Sequence, residues 1–392
     1  MPIQQKTVAD FFAGIGLVSM GLDRAGWQTV YALDYDKQKA SAYENHFGSG
    51  HYRNQDIALT KGVDVPDVLL AHASFPCTDL SVAGARGGIH EGESSAFWQF
   101  ARILKEVRKT HGEGHPPLVL LENVEGLLTS NQGNDLRLVL KSLNDLNYRV
   151  DLIRVDASNF VPQSRVRLFI IGVHESIASG IQSNNLLQEY QMRSSDARPR
   201  KIIEYIAKNS DLQWYFHQLP NLPKRVVTLE EIIDPSAEWW ETSRTKYLYN
   251  QLHSYHRKLI DEKIREKSYS YFPAFRRMRI REGEKRSTVE LRTDGIAGCL
   301  RTPKGGSARQ ILVRVGRGRL EARLFNGKEA ARLMGADNFQ IDPSLSLNQV
   351  LFGFGDAVCV PAVEWIGRHY LNTLPLFATY RPVRVRPVRV SL

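Results

Sequence analysis

The chain has 392 residues, 42% hydrophobic, 24% charged and 9% aromatic, the balance of a soluble globular protein with one large domain or two ordinary ones. That balance excludes a disordered chain, a collagen-like repeat and a disulfide scaffold. Cys77, Cys299 and Cys359 are far apart and form no C-x-x-C pair, so neither a disulfide framework nor a zinc site is expected, and any special cysteine is a lone nucleophile. Charge is uneven: residues 1–175 carry 17 Lys and Arg against 20 Asp and Glu, and residues 176–392 carry 35 against 22. A slightly acidic front half joined to a strongly basic back half suggests an enzyme core with a polyanion-binding extension. No apolar run approaches the ~20 residues of a membrane helix, and the Met1 end shows no signal-peptide pattern, so no membrane contact and a cytoplasmic location are expected.

The first 175 residues alternate strand-like and helix-like patterns. Lys6–Phe12 reads as a strand running into Ala13-Gly14-Ile15-Gly16, followed by a helix-like stretch that Gly26 stops. Strands are expected at Gln28–Leu33, Asp67–Ala73, Leu118–Leu121, Tyr148–Val155 and Val166–Val173, with helices at Lys37–Phe47, Ala96–Val107 and Leu136–Leu146. Strand and helix alternating at this spacing predict a parallel, doubly wound α/β sheet. From Ser176 to about residue 300 steady periodicity is lost. Arg276-Arg277-Met278-Arg279-Ile280-Arg281 alternates arginine with apolar residues, as a strand with one basic face would. Helical patterning returns at Lys328–Met334 and Val358–Tyr370, and the end, Arg381–Arg389, is a basic near-repeat, read as a frayed tail or a phosphate-touching arm.

Glycines between a first strand and a first helix let a ligand approach the backbone closely, which is the position of Asp10-Phe-Phe-Ala-Gly14-Ile-Gly16. The next glycine is Gly21, so this is no G-x-G-x-x-G and a dinucleotide is not favoured. Asp34 ends the second strand, where a carboxylate can bond both ribose hydroxyls of an adenosine-type cofactor. Asp56 and Ile57, before the next strand, are placed to meet the adenine. Phe75-Pro76-Cys77 follows Asp67–Ala73, at the edge where parallel sheets place their sites, which makes Cys77 a candidate nucleophile. Glu122 ends the fourth strand on the same edge, and Gln163-Ser-Arg165-Val-Arg167 opens the last one. Cysteine, glutamate and paired arginines around an adenosine pocket make no hydrolase triad. They suit an electrophilic ring that needs a nucleophile and an acid together.

These motifs resemble the ordered motifs of the DNA cytosine-5 methyltransferases: the glycine loop, Pro76-Cys77, Glu122-Asn123-Val124, Gln163-x-Arg165-x-Arg167, Arg301-Thr-Pro-Lys-Gly-Gly306 and Gly353-Phe-Gly-Asp356-Ala-Val358. The likeness covers most of the chain except about 180–290 and the tail. It implies S-adenosylmethionine held by Phe12, Gly14, Ile15, Gly16, Asp34, Tyr35, Asp56 and Ile57, with Asp356 at the same pocket. It further implies Cys77 as nucleophile, Glu122 and Arg165 holding the cytosine, and Arg167 supporting the active-site loop, with Gly84, Gly87 and Gly88 letting that loop close. The chain departs from the family pattern at Leu17, Thr78 and Asp356, which leaves Cys77 and Glu122 themselves intact.

The resulting expectation is a Rossmann-like methyltransferase sheet with a second, smaller target-recognition domain. The catalytic domain would span 1–178, the target-recognition domain 179–349, a returning catalytic segment 350–378 and a basic tail 379–392. Duplex DNA is the expected partner, contacted by Arg276, Arg277, Arg279 and Arg281, chiefly at phosphates, and family habit adds a possible cognate restriction endonuclease or defence-system proteins. No metal is expected. The rival readings are the same chemistry on RNA, against which the sizeable basic insert argues, and a non-catalytic DNA-binding regulator, against which the intact Cys77, Glu122 and Arg165 argue.

Overall fold

The short apolar runs of the first half become the strands of one seven-stranded sheet. In this computed structural model, which describes residues 5–75, 96–178, 193–281, 284–301 and 309–375, they are β1 (Thr7–Phe11), β2 (Gln28–Asp34), β3 (Tyr52–Asn54), β4 (Leu70–Ala73), β5 (Leu118–Val124), β6 (Tyr148–Asp156) and β7 (Val166–His174). Their order is β3-β2-β1-β4-β5-β7-β6. The first five are parallel neighbours, and β7 runs antiparallel between β5 and β6. Alternate residues feed opposite cores, as the period of two requires: Val119 and Leu121 of β5 face one, Leu118 and Leu120 the other. Helices α1 (Leu17–Arg24), α2 (Lys37–Phe47), α3 (Ala96–His111) and α4 (Asn134–Asn144) connect the strands. Phe97, Phe100 and Leu104 of α3 and Leu136, Val139 and Leu140 of α4 cover one face, and Val18 and Leu22 of α1 cover the other.

The doubly wound sheet expected from the sequence is therefore present. The three-residue β3 was not expected, because two of its three side chains are exposed and it has no periodic signal.

A smaller antiparallel sheet, ordered β11-β10-β8-β9, comprises β8 (Ser270–Arg281), β9 (Glu284–Leu291), β10 (Gln310–Gly316) and β11 (Arg319–Leu324). Leu248, Leu252 and Ile260, from the helices Thr242–Asn250 and Ser254–Lys263 and the turn between them, pack on Ala274, Val289, Val313 and Ala322 of this sheet.

Packing does not follow the expected boundaries at 178/179 and 349/350. The helix Arg200–Lys208 puts Ile202, Tyr205 and Ile206 on one stripe, and that stripe is buried in the large sheet's core. The chain then adds to the sheet edge, where Tyr215 N–H donates to Val150 O at 3.0 Å and Val150 N–H donates to Gln213 O at 2.9 Å. At the other end, Ala330, Leu333 and Met334 share a core with Ile15, Leu17 and Met20 of the first loop and α1. The final helix, Val360–His369, lies so close to α1 that a Cβ on Gly21 would stand 2.6 Å from Val363 Cβ. The stretch Leu347–Thr373 is apolar and long enough to cross a membrane by composition, but two helices divide it at Ala357–Cys359 and its apolar window is 72% buried inside the protein.

One buried charge fastens these late segments to the sheet. Asp151 of β6, fully buried, accepts from Arg198 Nε at 3.1 Å, from Arg198 Nη2, and from Tyr370 Oη at 2.9 Å. Burial and the Asp151 carboxylate push the Tyr370 hydroxyl well above its ordinary value, so it stays a donor. Removing one partner of a buried ion pair leaves an uncompensated charge and costs about 3–5 kcal/mol. Asp151→Asn is therefore expected to lower the unfolding free energy by that amount, read as an earlier urea midpoint.

Candidate active site

The strand β1 ends in a backbone arrangement that few sequences tolerate. Phe12, Gly14 and Gly16 all have positive φ, at 59°, 58° and 87°. A Cβ on Gly14 would meet nothing within 4 Å, whereas one on Gly16 would stand 2.4 Å from Phe47 and 2.8 Å from Tyr43. Gly14 thus leaves bare backbone facing open space, and Gly16 lets the loop press onto α2. Phe12 in the left-handed region is strained by about 1–2 kcal/mol, and such strain gathers at ligand sites.

Asp34, at the end of β2, holds this loop. Its carboxylate accepts from Gly14 N–H and from Asp36 N–H, both at 2.9 Å. Burial raises its carboxyl above the ordinary value, opposed by those two donors and by the Lys39 charge. Lys39 in turn pairs with Asp356 at 2.8 Å. Phe12, Gly14, Ile15, Asp34, Tyr35 and Asp356 all wall one cavity of about 340 Å³. Gly16 caps α1 behind that wall. Asp56 and Ile57 do not reach it: Asp56 caps a short turn, accepting from Ala58 N–H at 2.8 Å, and Ile57 is buried in the main core.

The far wall of the same cavity is Glu122, Asn123, Val124 and Arg167. Glu122 Oε1 lies 2.7 Å from Arg167 Nε, with both side chains largely buried. Asn123 Nδ2 donates to Phe75 O at 3.2 Å, pinning the chain after β4 to the end of β5. Ser74 and Phe75 also wall the cavity, and Cys77, with Pro76, Thr78, Gly84, Gly87 and Gly88, lies outside the described residues. Beneath this wall His72 Nδ1 lies 2.7 Å from Asp10 Oδ1, Ser19 Oγ donates to Asp10 Oδ2 at 2.9 Å, and Ser74 Oγ is 3.3 Å from His72 Nε2. Asp10 and His72 are register partners on β1 and β4, both fully buried. His72 and Lys39 were not singled out in the sequence, and Asn123 entered only as part of a motif, without a role. A histidine inside the apolar run Leu69–Ala73 was the available signal for the first.

The structure exchanges the expected places of the two arginines. Arg165 does not reach the cavity. It is 2% exposed, and its guanidinium donates to Leu300 O (2.9 Å), Gly355 O (3.0 Å), Ala357 O (2.5 Å) and Cys299 Sγ (3.3 Å). Burial, and then the nearby Arg167 charge, pull its pKa below the ordinary value. Arg167, expected to support a loop, is the one paired with Glu122.

The basic strand is also rearranged. Arg277 and Arg279 share a face of β8 and both meet Glu290, at 3.5 and 2.6 Å. Arg276 points the other way, with its Nε donating to Gln251 Oε1 at 3.2 Å and its guanidinium 6.0 Å from the Trp240 ring. The expected single basic face is thus split, as the alternation of a strand requires. Arg281 ends β8, and its side chain, like the Thr302–Gly306 part of the resembling motif and the tail 379–392, lies outside the described residues.

A parallel-rich sheet with a glycine turn after β1, an acid at the end of β2 and a carboxylate on β5 paired with a guanidinium on β7 defines a Rossmann-like methyltransferase fold. The chain belongs to the C-5 cytosine-specific DNA methylase family, whose profile matches residues 6–372. It is 36% identical over 172 residues to the type II methyltransferase M.BsuFI of Bacillus subtilis, covering 44% of this chain and 40% of that protein. To the type II methyltransferase M.HpaII of Haemophilus parainfluenzae it is 33% identical over 183 residues, covering 46% and 49%. The matched stretch spans about half the length of these relatives or less. Among solved structures the fold is similar to the S. pombe Dnmt2 methyltransferase (TM-score 0.57, 15% identity, 92% of this chain and 97% of that one). It is also similar to the Entamoeba histolytica methyltransferase EhMeth (TM-score 0.60, 12% identity, 93% and 97%).

The two arginines should separate in a stability assay. Arg165→Ala strands three buried carbonyls and opens a void, so a loss of about 3–5 kcal/mol is expected. Arg167→Ala should cost only about 1–2 kcal/mol, since the Glu122 carboxylate it leaves can draw on cavity water. Urea unfolding of both variants checks the order.

Proposed function

We propose that this protein is a DNA cytosine-5 methyltransferase, transferring a methyl group from S-adenosylmethionine to C5 of a cytosine flipped out of a specific duplex site. The observation that supports this reading is that the Asp34-held glycine loop and the Glu122–Arg167 pair open onto one cavity. The loop end fits the cofactor's nucleoside: bare backbone at Gly14, a carboxylate for ribose hydroxyls at Asp34 and an aromatic rim at Tyr35, which is 61% exposed. S-adenosylmethionine bound there supplies an electrophilic methyl group.

Cytosine C5 is too weak a nucleophile to take that methyl unaided. The Cys77 thiolate adds to C6, forming the S–C6 bond, and the C5–C6 π pair becomes part of an enamine. Glu122 holds N3 and the exocyclic amine while N3 takes up a proton, and Arg167 fixes the Glu122 carboxyl. C5 would then bond to the methyl carbon as the methyl–sulfonium bond breaks, its electron pair returning to sulfur in the departing thioether. A base removes the C5 proton, the C5–H pair restores the double bond, the thiolate leaves with the S–C6 pair, and N3 gives its proton back. A base stacked in a duplex cannot enter such a cavity, so it must be extruded. The basic residues of 176–392 supply most of the attraction to the phosphate backbone, because the front half is net negative. On this reading the chain is a cytoplasmic modification enzyme that would act beside a cognate endonuclease, and the type II methyltransferase names of the relatives support the modification role.

Two measurements test the assignment. Duplex DNA carrying 5-fluorocytosine at the target should trap a covalent complex, since fluorine cannot leave as a proton does. Cys77→Ala should form none while still binding DNA, and an adduct with the alanine variant would reject the nucleophile. Asp34→Ala should weaken S-adenosylmethionine binding by about 1.5–3 kcal/mol, the scale of a charge-assisted hydrogen bond, and unchanged affinity by calorimetry would move the cofactor elsewhere.

A further inference from the structure

The β8–β9 hairpin outgrows its sheet. The strand β10 pairs with β8 only over residues 270–275, so among the described residues 276–281 and 284–289 continue as a two-stranded ribbon with no third strand paired to 276–281. Six residues of extended chain carry the tip about 20 Å beyond the sheet body. Along one face of β8 run Ala274, Arg276, Met278 and Ile280, opposed on β9 by Leu291, Val289, Ser287 and Lys285. At the root this face is core, with Ala274 and Val289 buried beneath the helices Thr242–Asn250 and Ser254–Lys263. Further out the same face is bare, with Met278 58% and Ile280 72% exposed. Lys285 is exposed opposite Ile280, and Arg276 has Arg244 and Tyr247 for neighbours. The other face carries Arg277 and Arg279, drawn together by Glu290.

Two exposed aliphatic side chains at the end of a cation-flanked ribbon call for a partner that is anionic outside and apolar at a point within. A major groove admits a two-stranded β-ribbon, its walls are phosphates, and the apolar group on its base edges is the thymine 5-methyl. We propose that this ribbon enters the major groove with Met278 and Ile280 against thymine methyl groups, while the arginines on its opposite face serve the backbone. The inference rests on the reading of the chain as a DNA methyltransferase, and makes Met278 and Ile280 specificity determinants rather than catalytic residues.

The test uses the full chain and one long duplex of mixed sequence, amplified with either thymidine or deoxyuridine, with kcat/KM for methyl transfer read on each. One buried methyl group is worth about a fourfold change, so the wild type should prefer the thymine duplex by about three- to tenfold. The double variant Met278→Ser with Ile280→Ser should keep its melting temperature and still transfer methyl, but at equal rates on the two duplexes. Equal rates for the wild type overturn the inference, as does a double variant that retains the thymine preference. A variant that changes only the sedimentation of the protein and keeps the preference also overturns it, because the patch is then a contact between copies. No transfer by the wild type to either duplex rejects the parent reading, and this one with it.

Discussion

The Arg165 guanidinium is the buried cation on which the cavity depends. Its acceptors Leu300 O, Gly355 O and Ala357 O lie 135, 190 and 192 residues along the chain, and Gly355 and Ala357 are themselves cavity wall. A guanidinium withdrawn from water costs several kcal/mol, an expense offset only when its donors are nearly all engaged. The folded state therefore requires the returning segment to close on β7, and closing it sets Asp356 against Lys39 at the cofactor end. Gln163 reinforces the same joint, donating from Nε2 to Leu333 O at 2.6 Å and accepting from Leu300 N–H at 3.0 Å. Asp151 does for the neighbouring edge strand β6 what Arg165 does here, gathering Arg198 and Tyr370 around a single buried charge.

With the walls fixed in this way, topology decides where chemistry occurs. Helices α1 and α2 leave the sheet on one side of β1, the chain from β4 and β5 leaves on the other, and the crevice between them opens at the carboxyl ends of the strands. Two of the carboxylates on its walls, Asp34 and Glu122, have unlike partners. Asp34 is held by backbone N–H groups, which fix a loop, whereas Glu122 is held by a guanidinium. The first arrangement suits a neutral nucleoside with hydroxyls to donate, the second a base on which charge develops. The polar pair Asp10–His72 crosses between β1 and β4 directly beneath, so the glycine loop and the end of β4 share one rigid floor.

Much of this is legible in the sequence because the front half is locally consistent. Its apolar strands, helix periods and turn glycines each predict the same alternating sheet, and Asp34 follows from its place at a strand end. The arginine assignment was not legible. Arg165 and Arg167 share an i, i+2 spacing, and which of them is buried depends on carbonyls more than a hundred residues away. Asp56 and Ile57 are a related case, since a capping aspartate and a core isoleucine that do not line this cavity read like a pair of loop residues beside a ligand. The helical stripe Ile202, Tyr205 and Ile206 lies in the stretch read as lacking steady periodicity, and the attachment of 193–222 to β6 is a long-range pairing that local pattern does not encode. Arg276 and Arg277 are adjacent in sequence, so a strand must send them to opposite faces, and the split was implicit in the assignment of that stretch to a strand.

The central claim, that the Asp34 loop and the Glu122–Arg167 pair serve one methyl transfer to cytosine in duplex DNA, is tested most directly by bisulfite sequencing. The chain would be expressed in a host that has no cytosine methylation of its own, and the genome sequenced after conversion. The account predicts 5-methylcytosine confined to one short recurring sequence on the duplex. A genome without methylated cytosine, from cells in which the folded protein is present, would contradict it.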